Sequence, residues 1–178
     1  DTRCALIYLI KNAKVLNIDP DKIVIMGGSA GGHLALMGGL LANDSRFDNN
    51  CAGEKNIKVA AIIDKYGIAD VGDWAYGKHT SKSAVNWLGD KAQDLNFRNS
   101  VSPIYHVNKN SPPVFIVHGN ADPVVPYQQS VDLHKKLDEM GVKNVFMTID
   151  GGKHGGFENE DKSLLSKRIQ EFLIEIGL

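Results

Sequence analysis

Three side chains in this sequence could together break and form an acyl bond. Ser29 lies in Gly27-Gly28-Ser29-Ala30-Gly31-Gly32, Asp122 in His118-Gly119-Asn120-Ala121-Asp122-Pro123, and His154 in Gly151-Gly152-Lys153-His154-Gly155-Gly156. A serine hydroxyl is a weak nucleophile and needs a base. A histidine base in turn needs a carboxylate to fix its tautomer and stabilise the imidazolium. Serine, acid, histidine is one of the chain orders in which such a triad occurs. The G-x-S-x-G spacing suits a sharp strand-to-helix turn that lifts the hydroxyl clear of the backbone, where only small neighbours fit. The helix N-terminus beyond it aims free N–H groups at developing negative charge, which makes Ala30 the oxyanion-hole candidate. A phosphate loop would need Lys-Ser or Lys-Thr after the last glycine, and a dinucleotide fingerprint would need G-x-G-x-x-G. Neither is present.

The remaining titratable residues fit less well. His33 falls one helical turn beyond Ser29 and should pack or line a wall. His118 ends a strand and should support the Asp122 turn. His79, His106 and His134 lack a matching context, and Asp150 is the second-choice acid, placed on the strand that leads to His154. No His-Glu-x-x-His or paired-cysteine spacing calls for a metal, and no cofactor is expected.

The elements that must hold these residues can be read from apolar spacing. Four short β-rich runs read as buried strands: Lys22 to Met26, Val59 to Ile63, Pro113 to Val117 and Val145 to Ile149. Helical spacing covers Thr2 to Asn17, His33 to Leu41, Pro126 to Met140 and Lys162 to Ile176. Strands apolar on both faces, alternating with helices, predict an α/β fold with a parallel sheet in one domain spanning 1–178. Ser29, Asp122 and His154 then share the C-terminal sheet edge, where such folds place their sites. Asn43 to Asn56 reads as a polar surface loop. The stretch 68–110 is too long for a simple connection and reads as a lid-like insertion with a helical patch near Ser83 to Leu88. Its Trp74, Tyr76 and Trp87, with Gly28 at the turn and Val124 and Val125 after Asp122, are the substrate-contact candidates.

Composition is ordinary for a globular chain of 178 residues, with 43% hydrophobic and 23% charged residues. A net charge of -1 favours neither nucleic acid nor an anionic membrane surface. No apolar run approaches a membrane span. Cys4 and Cys51 are too few for a disulfide framework, so the compartment stays open.

Gly27 to Ala35 (GGSAGGHLA), Ser102-Pro103-Ile104, Pro112 to Gly119, Ala121 to Pro126 and His154 to Phe157 resemble the α/β-hydrolase superfamily, specifically its esterase and lipase members. The chain looks similar to carboxylesterases related to hormone-sensitive lipase and to acetylxylan or feruloyl esterases. That resemblance implies a three-layer αβα fold with a mainly parallel sheet. It also implies hydrolysis of a small-molecule or carbohydrate ester through an acyl-enzyme on Ser29. A prolyl-oligopeptidase-type peptidase shares the fold and the triad order, but those enzymes carry an aromatic residue after the serine, where this chain has Ala30. A non-catalytic hydrolase-like module is the third description.

The departure lies at the front. The resembled fold usually has about eight strands and a His-Gly-Gly on an early loop that supplies oxyanion N–H groups. Four strands are counted here, and no His-Gly-Gly precedes Ser29. The expectation is a C-terminal portion lacking the N-terminal strands, weakly active or inactive by itself. Its nucleophile strand would be an exposed edge, able to pair with a second copy in a homodimer.

Overall fold

The computed structural model describes residues 1–51, 57–78 and 80–178. The end of the predicted polar loop, 52–56, and His79 lie outside the described residues. Four parallel strands form one sheet in the order β1-β2-β3-β4: β1 Val24–Gly28, β2 Ala61–Lys65, β3 Val114–Gly119 and β4 Asn144–Ile149. Each starts within about two residues of its predicted place. Three begin later than the apolar runs suggested and β4 one residue earlier, and β1 carries on into the glycines, whose backbone pairs as well as any other.

Alternation along the strands separates two apolar layers. Ile62, Val114 and Ile116 point into one, with Leu6 and Ile7 of α1 (Thr2–Lys11), Leu36 and Leu40 of α3 (Ala30–Leu40), and Leu133 and Leu137 of α7 (Gln128–Glu139). Ile63, Phe115 and Val117 point into the other, with Leu165 and Phe172 of α8 (Asn159–Glu175). This is a helix–sheet–helix sandwich. Because the strands succeed one another in a single direction, right-handed crossovers bring α3 and α7 to the same face. The second layer is left to α8. Glycines inside α3 cost helix propensity, but close approach requires them: a Cβ on Gly39 would fall 2.5 Å from Ile62 Cδ1.

The first predicted helix breaks into α1 and the short α2 (Ala13–Leu16). α1 is tied down by groups that the apolar pattern does not reveal. Cys4 and Cys51 form a disulfide across 47 residues. Beside it the buried Arg3 pairs with Asp48 at 2.6 Å and donates to the Ala42 carbonyl at 2.8 Å.

Among its described residues, the stretch 68–110 holds three α-helices where the sequence suggested one patch: α4 (Val71–Tyr76), α5 (Lys82–Leu88) and α6 (Leu95–Ser100). Asp70 and Asp94 cap α4 and α6, accepting the N–H of Asp73 and Phe97. These helices and their flanks bury Ile68, Val71, Ala75, Ala84, Leu88 and Val101 in a third apolar cluster.

Candidate active site

Ser29 separates β1 from α3 at φ 56°, ψ −124°, a left-handed backbone that a non-glycine residue adopts only when its surroundings hold it there. Two constraints do so. The Ser29 N–H donates to the Lys65 carbonyl at the end of β2 at 2.9 Å. At Gly27 the turn is so tight that a Cβ would lie 2.0 Å from the Gly31 carbonyl oxygen. Ala30 is the first residue of α3, so its N–H is one of the donors that the helix itself leaves free.

β1 and β4 are separated by two strands, roughly 14 Å at ordinary sheet spacing. The loop after β4 reaches back across that gap and brings His154 Nε2 to 2.7 Å from Ser29 Oγ. His154 Nδ1 lies 2.7 Å from Asp122 Oδ2. A carboxylate only accepts, so Nδ1 carries the proton and the Nε2 lone pair faces the serine hydroxyl. That is the tautomer a general base requires.

Asp122 is held from every side. Its Oδ1 accepts the N–H groups of Val124 and Val125 at 2.7 and 3.1 Å. Its Oδ2 also accepts from His118 Nε2 at 3.1 Å. The His118 ring is fully buried; the same Nε2–H faces the Val125 carbonyl at 3.1 Å, and Nδ1 accepts from the Ser130 hydroxyl at 2.7 Å. With both acceptors facing Nε2, the proton sits there, and burial lowers the pKa below the ordinary histidine value and keeps the ring neutral. Asp150, the second-choice acid, accepts from the Asn120 side-chain amide at 2.8 Å.

An apolar recess of about 220 Å³ opens beside the nucleophile, lined by Ser29, Ala30, His33, Val71, Trp74 and Trp87 among others. His33 Nε2 bonds the Val101 carbonyl at 2.8 Å and its ring meets Trp87 edge-on at 5.9 Å. Burial lowers its pKa too. Trp74 donates from Nε1 to the Val124 carbonyl at 3.2 Å, joining the insertion to the Asp122 turn. A larger trough of about 930 Å³ is lined by Asp122 and Val124 together with Thr80, Asn120, Tyr127 and Gln128.

Three expected substrate contacts fall elsewhere. Val125 is wholly buried, because the turn that gives its N–H to Asp122 drives its side chain into the apolar cluster of the insertion; it is corrected from pocket wall to core. Gly28 is not part of the recess lining and faces the phenol of Tyr66. Tyr76 packs beneath the Arg98 guanidinium, 5.3 Å from its ring centre, outside the recess. The sequence reading missed Tyr66 and Asp64, both at the end of β2. Asp64 is fully buried with Oδ1 accepting from Gly67 N–H at 3.1 Å, and burial pushes its pKa up to about 7. An aspartate directly after the apolar run Val59 to Ile63 was the available signal for Asp64. Tyr66 offered none. Among the described residues, no group of three or more acidic, histidine or cysteine side chains could hold a metal. No described helix is long and apolar enough to cross a membrane.

Comparison with known proteins agrees with this architecture. The chain is 28% identical over 162 residues to the esterase LipC of Mycobacterium tuberculosis, covering 87% of this chain and 40% of LipC. It is 31% identical over 134 residues to the protein named probable carboxylic ester hydrolase LipM of the same organism, covering 73% of this chain and 31% of LipM. The chain thus spans less than half the length of these relatives. Among solved structures, a truncated form of a carbohydrate esterase from gut microbiota superposes with a TM-score of 0.83 at 28% identity, covering 98% of this chain and 66% of that one. The parallel sheet, its helical layers and these neighbours establish the α/β-hydrolase fold. The BD-FAE family profile matches residues 1–137, and the chain belongs to the BD-FAE family of esterase-like α/β hydrolases.

Proposed function

We propose that this chain carries the acyl-transfer site of a serine ester hydrolase. The support for it is the hydrogen-bonded row Ser29–His154–Asp122, in which the tautomer of His154 leaves its base lone pair on the serine hydroxyl. Ser29 Oγ attacks the ester carbonyl carbon while His154 Nε2 takes the hydroxyl proton. The carbonyl oxygen becomes an oxyanion that accepts the Ala30 N–H. Collapse of this adduct breaks the bond to the alkoxy oxygen, which leaves as the alcohol with the proton from His154. The acyl group stays on Ser29. Water then repeats the sequence, giving its proton to His154 and its oxygen to the acid, and restores the serine.

The recess beside Ser29 takes the apolar part of the substrate, with Trp74 and Trp87 as its walls. The polar trough at Asp122 takes the other part, which suits the hydroxyl-rich alcohol of a carbohydrate ester. The gut carbohydrate esterase is a similar chain of that kind. The segment 68–110 acts as the cover of the recess.

Steady-state hydrolysis of p-nitrophenyl acetate and of an aminoacyl-proline anilide tests the reading. Turnover of the ester, absent in Ser29→Ala, is expected. Preference for the anilide would favour a peptidase, and equal rates for Ser29→Ala and the native chain would overturn the reading.

A further inference from the structure

The four parallel strands each deliver residues at one sheet edge: Ser29 after β1, Asp122 after β3 and His154 after β4. The remaining strand, β2, is followed directly by Tyr66, whose ring centre lies 5.0 Å from that of His154 with the planes at 64°. The same ring meets Phe157 at 5.7 Å and 85° and His118 at 6.4 Å and 69°. From this placement we infer that Tyr66 is the positioning residue for the His154 imidazole, its ring fixing the plane in which Nε2 meets Ser29 and Nδ1 meets Asp122. The inference rests on the ester-hydrolase reading of the site.

Three observations carry it. First, the ring sits in a slot that two glycines keep open. A Cβ on Gly28, the residue before the nucleophile, would lie 2.9 Å from the Tyr66 hydroxyl, and one on Gly155, the residue after the base, would lie 2.6 Å from it. The phenol therefore fills the space between the serine turn and the histidine turn. Second, Tyr66 holds a left-handed backbone at φ 46°, which a bulky side chain adopts only under constraint. Its N–H donates to the Val117 carbonyl of β3 at 2.7 Å, and the preceding Lys65 carbonyl accepts the Ser29 N–H at 2.9 Å. Asp64 closes the same turn through the Gly67 N–H at 3.1 Å. The backbone that aims the ring is thus locked to the nucleophile's own backbone. Third, the loop bearing His154 crosses from β4 towards β1, with Gly151 and Gly155 both at positive φ. Its hydrogen bonds to Ser29 and Asp122 lie at the rim of the ring, so a packed surface is needed to stop the imidazole tilting between them. Burial and the neighbouring Asp122 charge hold the Tyr66 hydroxyl above the usual phenol range, so the ring stays neutral at working pH.

The test is the rate at which a fluorophosphonate phosphonylates the chain between pH 5 and 9, for the native sequence, Tyr66→Asn, Tyr66→Phe and Ser29→Ala. Asparagine removes the ring yet tolerates the left-handed backbone. Should Tyr66→Asn not fold by thermal melt, Tyr66→Gly removes the ring with no steric cost at positive φ. The ring-free variant is expected to react about 10- to 100-fold more slowly, the size of effect a misplaced catalytic group produces, with the acid limb of its pH profile moved. Tyr66→Phe is expected to restore the native rate and profile. A folded ring-free variant at native rate and profile would overturn the inference alone, as would a Tyr66→Phe as slow as the ring-free one. Equal labelling of Ser29→Ala and the native chain, or none in either, would overturn the underlying reading and the inference with it.

Discussion

His118 and His154 donate to the same carboxylate oxygen of Asp122, at 3.1 and 2.7 Å, from residues 4 and 32 positions away in sequence. One histidine is fully buried and the other reaches the surface of the site. The buried one fixes the acid, and the acid fixes the exposed one.

His118→Ala is therefore expected to cost stability as well as rate. It leaves the Ser130 hydroxyl and the Val125 carbonyl without their partner inside the protein. Each buried group left unpaired costs about 1–3 kcal/mol. Thermal melting should fall by roughly 2–4 °C per kcal/mol in a domain of this size. An unchanged melting temperature would contradict this role.

Asp64 makes stability depend on pH in a stated direction. Its carboxyl is raised to about 7 in the folded chain by burial, against an unfolded value near 3.9. Between those values the unfolded chain has released the proton and the folded chain still holds it. The stabilising contribution is full below about pH 4 and is lost as pH rises through 7. Asp64→Asn keeps an acceptor for Gly67 and removes the titration. Urea unfolding should show the variant close to native at pH 4 and more stable than native by a few kcal/mol at pH 8. A difference independent of pH would contradict the assignment.

Trp87 is 59% exposed, so its truncation should cost little stability while enlarging the recess. Competition among p-nitrophenyl esters of increasing acyl length should shift towards longer chains in Trp87→Ala. An unchanged preference would remove Trp87 from the substrate's surroundings.

The Cys4–Cys51 bridge closes a loop across a 47-residue separation. Bridges of this kind contribute about 2–4 kcal/mol. Melting with and without reductant should differ accordingly for the native chain and agree for the double Cys4→Ser, Cys51→Ser variant. Identical melting of the native chain in both conditions would mean the bridge stabilises nothing.

What could be read from sequence follows from how local each signal is. Ser29, Asp122 and His154 each follow a short apolar strand and stand among glycines or a proline, so chain position alone sends them to one edge. The choice between Val124 and Val125 was not legible, since it turns on which way a tight turn rotates after both N–H groups bind Asp122. Tyr66 was hidden because its slot is made by Gly28 and Gly155, far from it and from each other in sequence. The helices α4 and α6 are short, and their apolar residues serve a cluster shared with Val125. Only their capping residues Asp70 and Asp94 announced them.

The most direct test of the central claim is an acid quench after mixing the chain with p-nitrophenyl acetate, followed by intact mass and peptide mapping. One acetyl group on Ser29 is expected, lost in Ser29→Ala and strongly reduced in His154→Ala. Acetylation that survives Ser29→Ala, or that is indifferent to His154, would contradict a serine acyl-enzyme at this site.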